Sequence, residues 1–124
     1  MAMGVTTFKE MRIWQKAQEL ALRVYKVTAS FPSEEKFGLT SQLRRAAASV
    51  GANIAEGKGR RTSKELRSFL VIARGSIHEI CSHLMLAKGL GYMTEVEAEA
   101  LIVEYNGLDK GINLCVSHFL RKNE

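Results

Sequence analysis

The stretch LTSQLRRAAASVGANIAEG, Leu39 to Gly57, carries apolar residues at Leu39, Leu43, Ala46, Val50 and Ile54. That spacing, i, i+4, i+7, i+11 and i+15, winds one stripe along a helix and fits no strand. Gly57 stands where a left-handed residue would stop the helix, so a helix is predicted over 39–56. Its opposite face is unusual: Ser41, Ala48, Ala52 and Ala55 are all small, where a solvent-facing helix carries Lys and Glu. Two explanations stand. The back of this helix packs against another subunit, or alanine is present for its helix propensity. A third line, Gln42, Ser49, Asn53 and Glu56 with Arg45 nearby, lies on a shoulder of the apolar stripe. Polar groups beside a core need partners, so this line reads as a hydrogen-bond seam between helices or subunits, or as the lining of a ligand groove.

Helical periodicity continues on both sides of this stretch. A first helix is predicted from Phe8 to Ser30, with Ile13, Ala17, Leu20, Val24 and Val27 inward; Pro32 follows and stops it, because the residue before proline avoids the helical region. The aromatics of the next link, Phe31 and Phe37, are expected to seal one end of the core. A third helix is predicted from Ser63 to Leu90 behind the capping box Thr62 to Glu65, with Leu66, Phe69, Leu70, Ala73, Ile77, Ile80, Leu84 and Ala87 inward, and a fourth from Glu95 to Arg121 behind Thr94 to Glu97. The fourth carries Leu101, Leu108, Ile112, Cys115 and Phe119 inward. In the third, Gly75 sits mid-helix, which suggests close approach of another helix. Short links favour antiparallel neighbours. The expected fold is all-α, an up-down-up-down four-helix bundle over residues 8–124, with 1–7 as a flexible start. One domain suits 124 residues. The Met1 to Lys9 segment lacks the layout of a signal peptide, and no apolar run reaches the ~20 residues of a membrane span. A cytoplasmic protein without membrane contact is expected.

The net charge is +5, and its distribution matters more than its size. Between residues 44 and 74 stand Arg44, Arg45, Lys58, Arg60, Arg61, Lys64, Arg67 and Arg74 against only Glu56 and Glu65. Concentrated cations are an electrostatic footprint for a polyanion. Lys58, Arg60, Arg61, Lys64, Arg67 and Arg74 are therefore the candidate contacts for RNA or DNA phosphates. Interleaved aromatics, which stack single-stranded bases, are missing, so any binding is expected to be electrostatic. The plain alternative is a solvated face that keeps the protein soluble.

Catalytic chemistry finds no footing. Gly51 and Gly57 are separated by five residues, Gly59 follows Lys58 where a phosphate loop needs Ser or Thr, and the segment lies between helices. His78 and His83 are five apart and point from different helix faces, unlike a metal pair. Cys81 and Cys115 lie on apolar stripes and read as small hydrophobes. No catalytic residue, metal or cofactor is expected, and the chain does not read as an enzyme.

The runs Phe31-Pro32, Glu34-Glu35 and Phe37-Gly38-Leu39, then Gln42 to Ala47, Ser49-Val50 and Asn53 to Gly57, form one ordered series. With Phe69-Leu70, Ile72 to Ser76, Glu79 and Leu90-Gly91-Tyr92, the series resembles the 23S rRNA intervening-sequence (S23) four-helix-bundle family over nearly the whole chain from Phe8. The resemblance implies a ring-shaped homopentamer. It implies no activity: the role of most members is unknown, and the family name reflects gene location. A related branch, the accessory variability proteins of diversity-generating retroelements, presents basic surface and partners a reverse transcriptase and nucleic acid. This sequence shows no extra domain or basic tail that would argue for that role. The resemblance leaves a nucleic-acid-binding oligomer and a pure protein-interaction scaffold as the two functional expectations.

Overall fold

A computed structural model describes the backbone of residues 7–122 and the side chains of 7–118. The flexible start expected over 1–7 falls almost wholly outside the described residues, as does the Phe119 side chain. Four helices follow in order: α1 (Arg12–Thr28), α2 (Leu39–Lys58), α3 (Ser63–Gly89) and α4 (Glu95–Lys122). Each packs on the next, most extensively α2 on α3, while α1 meets α4 more sparsely and closes the bundle. α2 and α4 occupy opposite corners, with no close backbone approach among the described residues.

Most residues of the predicted inward stripes are buried, while Ile13, Val27, Phe69 and Cys115 are only half-buried. Leu39, Leu43, Ala46, Val50 and Ile54 of α2 and Leu66, Leu70, Ala73, Ile77, Ile80 and Leu84 of α3 are all buried. By length and composition alone α3 could cross a membrane, which the sequence reading did not expect; this same stripe packs it against α2 and α4. Tyr105 of α4 is fully buried, one turn beyond Leu101. It was not among the residues expected inward, and its hydroxyl has no hydrogen-bond partner among the described groups.

Three boundaries differ from expectation for physical reasons. α1 begins at Arg12, after a separate 3₁₀ turn over Phe8–Glu10. It stops at Thr28, whose hydroxyl donates to the Val24 carbonyl at 2.7 Å and accepts from Arg44 Nε at 2.8 Å. Gly57 does not end α2: the helix runs on to Lys58. A Cβ there would lie 2.9 Å from Phe69 Cβ and 3.0 Å from Leu66 Cδ1, so its role is to let α3 approach. The one glycine with positive φ among the described residues is Gly91, at 79°, in the α3–α4 turn.

The expected aromatic seal is half right. Phe31 is buried and packs on Tyr92 with ring centroids 5.4 Å apart. Phe37 is 88% exposed, with Lys36 above its ring. Tyr92 takes the sealing place because its hydroxyl donates to Glu35 Oε2 at 2.9 Å. The other oxygen of Glu35 accepts the Leu39 N–H at 3.0 Å, which anchors the start of α2. Those two hydrogen bonds hold the Glu35 carboxyl below its ordinary range.

Candidate functional site: the basic end of the bundle

The link between α2 and α3 is four residues long, so both helix ends project charge at one end of the bundle. Thr62 caps α3 by accepting the Glu65 N–H at 3.1 Å, which fixes where Lys64 and Arg67 emerge. Lys58, Arg61 and Lys64 are exposed and have no ion pair among the described residues. Arg60 is tied down on two sides. Its guanidinium lies 4.8 Å over the Phe69 ring and 3.5 Å from Glu56. Phe69 is therefore only half-buried, as a platform for Arg60, although its spacing placed it on the core stripe. Arg67 is half-buried.

Arg74 does not join this cluster. It lies ten residues up α3, roughly 15 Å at the helical rise, and faces α4. Its Nε donates to Asp109 Oδ1 at 2.8 Å, Nη2 to Asp109 Oδ2 at 3.3 Å and Nη1 to Asn113 at 2.9 Å. The pairing raises the Arg74 pKa and holds the Asp109 carboxyl below its ordinary value, with His78 at 3.5 Å adding a smaller pull. Arg74 is thus a clasp between α3 and α4, its charge balanced inside the fold.

Packing adds two cations that sequence order hid. The 3₁₀ turn before α1 rests against α2 and leaves Lys9 exposed, while the exposed Arg12, at the start of α1, lines the groove toward α4. Both are more than forty residues from Lys58, so a window along the chain could not join them.

The other candidate residues sit as follows. On α2, Ser41, Ala48 and Ala52 are exposed and Ala55 is half-buried. In the polar line, Ser49 Oγ meets Ser76 Oγ of α3 at 2.5 Å, which makes the inter-helix seam real at one point. Asn53 donates back to the Ser49 carbonyl at 2.8 Å, Glu56 pairs with Arg60, and Gln42 is exposed. The seam is therefore local and does not run along the helix. Nearby, Glu79 lies between Arg45 at 3.8 Å and His83 at 3.2 Å.

Nothing among the described residues gathers three His, Cys, Asp or Glu side chains into a metal-binding group. Cys81 and Cys115 are half-buried and unpaired with each other, and burial pushes both thiols up, away from nucleophilic thiolate character. The main concave surface is the groove between α1 and α4, lined by Lys16, Glu104, Val96, Val103 and Gly107. The sequence reading singled out none of these. Lys16 pairs there with Glu104 and Glu19, and both pairings raise its pKa.

The fold and this site define a four-helix bundle with cations gathered at one end, around the α2–α3 turn. The family described as 23S rRNA-intervening sequence protein matches residues 9–114, and the chain belongs to that family. A solved structure from Bacteroides thetaiotaomicron VPI-5482, a protein with unknown function from the S23 ribosomal protein family, shares the fold. Its TM-score is 0.76 at 23% identity, over 84% of this chain and 97% of that one. No curated protein matches the chain.

Proposed function

We propose that this protein is a non-enzymatic bundle that self-associates through the outer face of α2, as a ring of five copies, and holds RNA or DNA phosphates at its basic end. The observation that carries the nucleic-acid part is the set Lys58, Arg61 and Lys64, exposed and without ion pairs among the described residues, with Lys9 and Arg12 at the same end. Arg60 contributes through a guanidinium already oriented by Phe69. Arg74 drops out, because its charge is balanced by Asp109. Supporting self-association is the exposure of Ser41, Ala48 and Ala52, small groups that gain little from facing water.

Filter binding to a structured RNA across a salt series tests this. Four phosphate contacts, from Lys58, Arg60, Arg61 and Lys64, give a slope of log affinity on log salt near −3. Arg60→Ala with Arg61→Ala roughly halves that slope, while Arg74→Ala leaves it unchanged. Absence of binding at low salt, or binding indifferent to the double substitution, refutes the nucleic-acid reading. The protein-interaction scaffold then stands in its place, favoured by the internal commitment of Arg60 to Glu56 and of Arg74 to Asp109.

A further inference from the structure

Along the chain the basic turn lacks an aromatic on which a base could stack, but the fold brings one to it. Phe69 belongs to the inward stripe of α3 by its spacing, yet it is not part of the buried core. Gly57 explains where it goes. The Phe69 Cβ lies 2.9 Å from the place a Gly57 Cβ would occupy, so the stem of Phe69 rests on the last turn of α2. Its ring meets the turn between the helices, where the Arg60 guanidinium lies over it at 4.8 Å.

Arg60 is held there lightly. The side chains of Arg60 and its partner Glu56 are 41% and 56% exposed. Cation–π contacts and i,i+4 ion pairs are weak at such exposure. The guanidinium is therefore a movable cover on an apolar ring. The antiparallel register of α2 and α3 sets what stands beside that ring. Ser49 meets Ser76 and Gly57 meets Phe69, which places Glu56 beside Phe69 and Asn53 beside Ile72, one turn further along α3. Ile72 is 53% exposed. Asn53 spends its amide nitrogen on the Ser49 carbonyl, so the oxygen of its side chain remains as an acceptor. The result is an apolar floor with acceptor oxygens along one edge.

A phosphate uses neither part: the ring offers it no hydrogen bond, and the Glu56 carboxylate repels it. A nucleobase uses both. Its π-face stacks on an aromatic ring, and amino or imino N–H groups on its edge donate to a carboxylate.

We propose that Phe69 is a stacking platform for one unpaired nucleobase, with Arg60 lifting off the ring and closing over the other face of the base. This rests on the nucleic-acid reading above and names the form of nucleic acid that the basic end takes, a single strand or an unpaired loop. Lys58, Arg61 and Lys64, exposed around the same turn, take the flanking phosphates. The edge of the Arg60 guanidinium remains for the phosphate of the stacked nucleotide, because its face and its N–H fork act independently. A duplex keeps its bases stacked on one another. It presents phosphates alone and gains nothing from the ring.

Fluorescence anisotropy of the full chain with two labelled RNAs, a mixed-sequence single strand and a blunt duplex of the same length, tests this through Phe69→Leu and Arg60→Lys. Neither substitution removes a charge, so the slope of log affinity on log salt stays that of the wild type. Phe69→Leu weakens single-strand binding about tenfold, the worth of one stacked base, and changes duplex binding less than about twofold. Arg60→Lys keeps the cation and loses the flat face; it weakens single-strand binding by a smaller factor and again spares the duplex. Circular dichroism checks folding. If Phe69→Leu loosens the α2–α3 packing, Arg60→Lys, on the turn itself, carries the test. Equal losses on both RNAs, or no loss on the single strand, overturn the platform and leave the phosphate contacts standing. A wild type that binds neither RNA overturns both readings.

Discussion

One substitution, glycine to alanine, should change stability in opposite directions at two positions of this bundle. At Gly75 there is nothing within 4 Å of the added methyl. The change then acts through helix propensity and reduced unfolded-state entropy, and Gly75→Ala should stabilise by about 0.5–1 kcal/mol. At Gly57 the same methyl meets Phe69 Cβ at 2.9 Å, Leu66 Cδ1 at 3.0 Å and the Leu66 carbonyl oxygen at 3.3 Å. Two of those atoms are α3 backbone or directly attached to it, so they cannot rotate aside. Relief requires moving α2 from α3 by some tenths of an ångström across their most extensive packing surface. Overpacking of this kind costs about 1–3 kcal/mol, against the same propensity gain of up to about 1 kcal/mol. Gly57→Ala should therefore destabilise by about 0–2 kcal/mol, leaving the two variants about 1–3 kcal/mol apart. For a chain of this size 1 kcal/mol moves the melting midpoint by about 3–5 °C. Thermal unfolding followed by circular dichroism, at two protein concentrations to remove any contribution from association, reads the difference directly. Equal upward shifts for both variants would refute the close approach of α2 and α3 at Gly57.

Other outcomes follow from the same geometry. Asp109→Asn should cost about 1 kcal/mol at pH 7 by unpairing Arg74. The folded Asp109 pKa lies below its ordinary 3.8, so the stabilisation is present above that value and is lost as pH falls through the folded pKa. The gap between wild type and variant in urea midpoint should thus be constant above about pH 5 and close in stronger acid. Tyr105→Phe removes a fully buried hydroxyl that lacks a partner and should raise the melting midpoint; a fall of several degrees would mean that the hydroxyl is satisfied. Glu35→Ala frees both the Leu39 N–H and the Tyr92 hydroxyl and should lower the midpoint more than Tyr92→Phe, which frees only one. If the two variants melt alike, Glu35 does not anchor α2.

The basic end shows where reading along the chain reaches its limit. Lys58, Arg60, Arg61 and Lys64 are close in sequence because one short turn holds them, so a local charge count found them. Arg74 was counted with them on the same ground, yet its guanidinium is held by Asp109, thirty-five residues away. Lys9 and Arg12 were missed for the converse reason: their place at the same end of the bundle follows from the antiparallel return of the chain. Phe37 and Tyr92 exchanged roles because a hydroxyl contact with Glu35 cannot be seen in apolarity alone.

The sequence by itself determined the four helices and their inward faces. Each stripe arises from a 3.6-residue period within one segment, and both capping threonines lie three residues from their partners, so short-range geometry suffices. Only the tertiary structure decided which small residues touch something. Gly57 is pressed by α3, while Gly75 and Gly107 face open space, although all three look alike along the chain. The same holds for charge: whether a cation is free or balanced depends on distances between helices, which no local period encodes.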